Sequence, residues 1–437
     1  ITVLSSASDI CRDGLFLRAE GRPRQAQAQG RSTCDRTQAD RSLNRPMKVT
    51  VLQPGARHDY LQSRFLHRAG ALQRIYTDFA WPEGLTAKVL ASLAPTSGLR
   101  GKVRRRTVAE LPRQLINLYP FSAWENREGR PPDWPITRSD LSATDIFFTQ
   151  YYAGGHGLRS RIASSAKIVS DVFIVPSAHK LVNEECDRFP GWKERRLDIE
   201  KSAQYEDFTL DMLEDCDALF CPANAVVDDV AEYGEQYRAK CHVVPYSSSL
   251  HTRVEPRTQP RRVLFAGTMT LRKGPQYLKM AADLLRAQGE DFTFVFAGGI
   301  SDDARRQLEG PGIEVLGHIS KERLVNEYER GDVFVLPSIA EGSAGVVLEA
   351  MGAGLPVVVT RNAGVDFVDG ESGIYVPVRD AGAIAEALVR ICSDRSRRDA
   401  MSAAAIRRAH DYGHAEWEAR FIEALQIVHA KPGAHRP

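Results

Sequence analysis

The chain has 437 residues, 43% of them hydrophobic and 26% charged, with a formal net charge of +2. That length suits two domains with a core each, the composition is that of a globular protein, and the nearly balanced charge gives no electrostatic basis for nucleic-acid binding. No apolar run reaches the ~18 residues of a membrane-spanning helix, and seven scattered cysteines without metal-ligand spacing read as reduced thiols of a cytoplasmic protein.

Residues 1–46 carry eight arginines, no lysine, five acids and an alternating Gln-Ala run over 25–29. They are expected to be disordered or mis-annotated upstream sequence, with folding starting at Met47. From there apolar strands alternate with amphipathic helices: strand 48–53, helix 60–69, strands 145–149 and 167–172, helix 198–214, strands 218–221 and 242–245. Between 81 and 134 the pattern dissolves into basic and Pro-rich sequence. A polar stretch over 247–259 reads as a linker. A second alternating half follows, with strands 262–267, 292–297, 313–316, 332–336 and 356–360 and helices 322–328, 345–351 and 382–392. The last amphipathic segment is 416–428. Such alternation predicts βαβ units and two parallel sheets of Rossmann type, whose strand carboxyl ends line a ligand cleft.

Two loops of the second half carry chemistry. After strand 332–336 comes Pro337-Ser338-Ile339-Ala340-Glu341-Gly342-Ser343-Ala344-Gly345, leading into a helix that holds Glu349. Glu341 and Glu349 are eight residues apart, roughly 12 Å at helical rise, about the span of a nucleotide-sugar from ribose to hexose. The turn of small residues leaves helix N–H groups free for an anion. The other loop is Gly267-Thr268-Met269-Thr270-Leu271-Arg272-Lys273-Gly274, a Gly turn with two cations at a helix start. Arg offers phosphate a bidentate fork and Lys a point charge. Taken alone, that loop also reads as a solvated Arg-Lys pair. A parallel sheet would set both loops on one edge.

With those motifs the sequence resembles family 4 of the retaining glycosyltransferases, specifically over 262–380 and more loosely from Met47 to Val428. The resemblance implies the GT-B fold, an α/β architecture of two Rossmann-like domains facing across a cleft. It implies an acceptor-side domain over 47–250, a donor-binding domain over 251–412, and a C-terminal helix within 413–437 packing back towards the first. It also implies transfer of a sugar from a nucleotide-diphosphate-sugar to the hydroxyl of a glycan, lipid-linked or small-molecule acceptor, with retention and without a metal or further cofactor. Glu341 would then contact the donor sugar and Glu349 the ribose. The amides of Gly342, Ser343, Ala344 and Gly345 would approach sugar and diphosphate, beside Gly267 and Thr268. Lys273, with Arg272, would neutralise the diphosphate. Gly317-His318-Ile319 would flank the base, and the turn at Gly55 would lie over the diphosphate beside the acceptor. His179 is matched to the family's cleft histidine, with His156 as a competitor.

Three departures bear on specificity: Thr268 stands where the family commonly has Arg, Ser343-Ala344 replace its Phe-Gly, and Ser247-Ser248-Ser249 replace its Gly-Val-Asp. Asp228-Asp229 and Asp302-Asp303 read as acids of helix starts. The basic run 100–106 reads either as a solvated loop or as a peripheral contact with anionic membrane. A nucleotide-sugar epimerase and a non-catalytic nucleotide- or carbohydrate-binding protein remain alternatives, and the oligomeric state is open.

Overall fold

The computed structural model describes residues 46–53, 57–77, 103–105, 136–152, 157–248 and 261–431. Gly55, His156, most of the basic run and the linker from 249 onward lie outside the described residues.

Residues 46–431 build two parallel sheets. The first contains β1 (Val49–Leu52), β2 (Leu72–Thr77), β3 (Val103–Arg105), β4 (Ile146–Gln150), β5 (Lys167–Asp171), β6 (Ala218–Cys221) and β7 (Cys241–Val243), in the order β3-β2-β1-β4-β5-β6-β7. The second contains β8 (Arg262–Ala266), β9 (Thr293–Ala297), β10 (Ile313–Gly317), β11 (Val333–Leu336), β12 (Val357–Val359) and β13 (Gly373–Tyr375), in the order β10-β9-β8-β11-β12-β13. Both run outward in two directions from a first strand, so each has a switch point, at β1/β4 and at β8/β11, where ligands of such sheets bind.

The strands are short apolar runs because helices cover both sheet faces. Alternate residues of the first sheet feed different layers. Val49, Val51, Ile146, Phe148, Val169 and Phe220 face one cluster, while Leu52, Phe147, Ile168, Leu219 and Cys221 face another. The helix Ile199–Asp215 is capped by Asp198, which accepts from Lys201 N at 2.8 Å. Ser301, Ser320, Asp380 and Asp394 cap four helices of the second half in the same way, satisfying donors that the first helical turn cannot.

The last helix, His414–Ala430, belongs by sequence to the end of the chain but packs on the first sheet. Trp417, Phe421, Leu425 and Val428 join Val51, Phe65 and Phe148 in one cluster. The Lys167 ammonium donates to the carbonyls of Val428, His429 and Lys431, closing the carboxyl end of that helix. Among the described residues no helix is long and apolar enough to cross a membrane.

Two expectations change. Asp228 and Asp229 lie within the helix Asn224–Glu232 rather than at its start. Asp229 accepts from Ser177 N at 2.9 Å and Asp228 pairs with Arg238 at 2.9 Å, so tertiary partners rather than the helix dipole hold them. Ser248, read as linker, is buried, and its N–H donates to Tyr412 O at 3.3 Å.

Candidate active site

The two loops of the second half flank its switch point. β8 runs into Gly267 and then a single 3-10 turn, Leu271–Lys273, that ends on Gly274 at φ 74° before the helix Pro275–Ala287. That left-handed backbone favours glycine, and a Cβ there would collide with the carbonyl of Pro337. β11 runs into the loop 337–344 and the helix Gly345–Gly352.

Arg272 ties the loops together. Its carbonyl accepts from Ile339 N at 2.7 Å, and its guanidinium donates to Ala340 O at 2.7 Å. Its Nη1 also lies 2.9 Å from Glu341 Oε2, while Lys273 Nζ lies 2.6 Å from Glu341 Oε1. Burial opposes ionisation of Glu341, yet the facing charges of Arg272 and Lys273 outweigh it and hold the carboxyl below its ordinary range. Within this cluster two cations face one carboxylate.

The loop after β12 braces the same segment. Asn362 Nδ2 donates to Ile339 O at 2.7 Å, Thr360 Oγ1 to Ser338 O at 2.6 Å, and Ala344 N to Ala363 O at 3.0 Å. No side chain caps the helix Gly345–Gly352; Val347 N donates to Ala344 O at 2.9 Å, which leaves the amides of Gly345 and Val346 as those the helix itself does not satisfy. One turn further in, Glu349 accepts from Tyr328 OH at 3.0 Å and faces Ser248 Oγ at 3.5 Å. Burial, and next the Glu349 charge, raise the Tyr328 phenol well above its usual value, so it stays a donor to that carboxylate.

The first half reaches this site at its backbone. Val175 N donates to Glu341 O at 3.3 Å, and a Cβ on Gly342 would collide with the carbonyl of Phe173. Sequence reasoning missed Phe173, whose contribution is its main chain and so leaves no side-chain signal.

The other named residues lie further along the edge. Gly317 accepts from Gly298 N at 2.8 Å, His318 is exposed, and Ile319 packs on the second core. Thr268 is half-buried near Gly299. His179 stacks on Tyr205 with centroids 5.6 Å apart, and its Nε2 lies 3.0 Å from Glu206. Those partners belong to its own half. Burial lowers its pKa below the ordinary value, so the ring is neutral near pH 7.

Comparison with known proteins places this arrangement. The family described as Glycosyl transferases group 1 matches residues 260–394, the span that holds both loops. A D-inositol 3-phosphate glycosyltransferase of Arthrobacter sp. (strain FB24) is 31% identical over 38% of this chain and 42% of its own. One from Corynebacterium urealyticum is 28% identical over 51% of this chain and 58% of its own. The chain thus spans about half the length of these curated relatives. Among solved structures, the sucrose-phosphate synthase of Thermosynechococcus elongatus covers 87% of this chain and 98% of its own at TM-score 0.56 and 18% identity. Anabaena HepE, solved with UDP and glucose, covers 87% of this chain and 100% of its own at TM-score 0.56 and 14% identity. The fold is GT-B, two Rossmann-like parallel-sheet domains.

Proposed function

We propose that the protein is a glycosyltransferase that moves a sugar from a nucleotide-diphosphate-sugar to an acceptor hydroxyl with retention of anomeric configuration, in polysaccharide or glycoconjugate assembly. The observation that carries this reading is the Arg272–Glu341–Lys273 cluster, with its excess positive charge beside an uncapped helix N-terminus at the switch point.

In this reading the diphosphate takes the positive charge and the amides of Gly345 and Val346 at the helix start. Glu349, held by Tyr328, faces the ribose hydroxyls, and Glu341 accepts from the sugar. The acceptor oxygen forms its bond to the anomeric carbon on the face from which the phosphate leaves. The carbon–oxygen bond to phosphate breaks, and the acceptor proton passes to the departing phosphate oxygen. No metal or further cofactor enters this scheme. The protein contributes positioning and fixed charge where negative charge develops. In this reading the protein works in the cytoplasm.

The test is incubation with a panel of uridine- and guanosine-diphosphate sugars and glycan, lipid-linked and small-molecule acceptors, with the anomeric configuration of the product read by NMR. An axial donor giving an axial glycoside is expected. An inverted product overturns retention, and donor turnover equally fast without any acceptor points to an epimerase instead.

A further inference from the structure

Leu271 opens the turn that presents Arg272 and Lys273, and the first half reaches its N–H directly and its carbonyl through Gln276, beside Gly274 N, which donates to the same carbonyl at 3.1 Å. Its N–H donates to Glu194 Oε2 at 2.6 Å. Its carbonyl accepts from Gln276 Nε2 at 2.9 Å, and the same nitrogen lies 2.9 Å from Glu185 Oε2. Glu185 is fully buried; it also accepts from Tyr277 OH at 2.9 Å and from Arg379 Nε at 2.6 Å. The segment that supplies these two carboxylates is anchored in the second core. Trp192 is buried there, Phe189 meets Tyr277 edge-on at 5.5 Å, and Lys193 pairs with Asp303 at 3.2 Å.

We propose that Glu194 and Glu185, on the segment 185–194 of the first half, are positioning residues that fix the Leu271 peptide and thereby aim Arg272 and Lys273 at the diphosphate of the donor. The inference rests on the donor-site reading above. Glu185 is buried behind the turn, and Glu194 reaches the turn through Leu271 N while its charge is also felt by Arg272. The geometry makes the shape of the phosphate-binding turn depend on the first half being docked, so donor affinity falls when the two halves part at this point.

Charge and geometry make opposite demands of Glu194, which allows a clean test. As a nearby anion it would repel a diphosphate, so removing its charge alone would tighten binding. As an acceptor for Leu271 N it holds the turn, and losing it would weaken binding. Calorimetry with uridine and guanosine diphosphate would compare the wild-type protein with Glu194→Ala, Glu194→Gln and Glu194→Asp. Glu194→Gln keeps an acceptor oxygen, while Glu194→Asp keeps the charge but draws the oxygen back by one methylene. Affinity is expected to fall about tenfold in Glu194→Ala and Glu194→Asp, the effect of one hydrogen bond to a charged acceptor, and to stay within about threefold of wild type in Glu194→Gln. Thermal midpoints without ligand identify a variant that does not fold, and Glu194→Asp, the mildest change, then carries the test. Equal or tighter binding by both Glu194→Ala and Glu194→Asp overturns the inference alone. Absence of binding by the wild-type protein overturns the donor reading and the inference with it.

Discussion

In the proposed reading, much of the chemistry rests on two single side chains, Lys273 and Glu341. With Arg272 fastened to the loop 337–344 by main-chain and side-chain contacts to Ile339, Ala340 and Glu341, Lys273 is the less constrained cation, its ammonium paired with Glu341. Lys273→Ala is expected to reduce kcat by about 10²-fold, comparable with losing one preorganised donor; steady-state rates on a saturating donor check this, and near-normal turnover would remove Lys273 from the mechanism. Glu341 gives a stability signature. Its folded pKa is depressed, so as pH falls the unfolded chain takes up the proton first. The stabilisation is therefore fully present above the unfolded value of about 4.3 and is lost as pH drops through the folded value. Thermal midpoints of wild type and Glu341→Gln should differ at neutral pH and converge in the acid range. At this scale much was legible: the Arg-Lys pair and the glutamate pair are local in sequence. Glu185 and Glu194 were not, because nothing near them marks a role that exists only across 77 or more residues of chain.

At the scale of elements, the loop 337–344 is rigid because four others press on it: the Arg272 turn, the loop after β12, Phe173 and Val175. Gly342 is where they converge, beneath the carbonyl of Phe173. Gly342→Ala forces either that carbonyl or the Glu341 backbone to move, and we expect a loss of about 1–3 kcal/mol of stability together with weaker donor binding, measured by chemical denaturation and calorimetry. Glu349 lies on the helix behind, and Glu349→Ala should weaken nucleoside diphosphate binding while leaving the fold intact; unchanged affinity would contradict the ribose role. The strands β6 and β11 are continuous apolar runs, as is β8 after Arg262, and could be read directly. β2 was missed because Gln73 and Arg74 interrupt it while its last three residues are buried. β13 was missed because its three residues open on Gly373, whereas the equally short β12 is three valines.

For the whole molecule, alternating strands and helices were enough to expect two parallel sheets, since βαβ chirality and switch-point geometry do the rest. What periodicity could not give is where the last helix docks, a question of complementarity between distant surfaces. Trp417, fully buried, contacts Phe65 edge-on at 5.1 Å and Tyr246 at 5.3 Å. Trp417→Ala should cost about 3–5 kcal/mol, seen as a lower denaturant midpoint, and the loss belongs to the first half although the residue follows the second.

That docking also sets an order of assembly. During synthesis an amino-terminal domain ordinarily folds first. Here the first sheet has emerged in full once Val243 leaves the ribosome, yet one of its faces, covered in part by Phe65 and Leu66, is completed by Trp417, Phe421 and Leu425, which follow the whole second sheet. The second sheet and its core are complete by Tyr412. The first half is therefore completed after the second, and a nascent chain stalled before residue 414 is expected to leave the apolar surface that Trp417, Phe421 and Leu425 bury open to solvent.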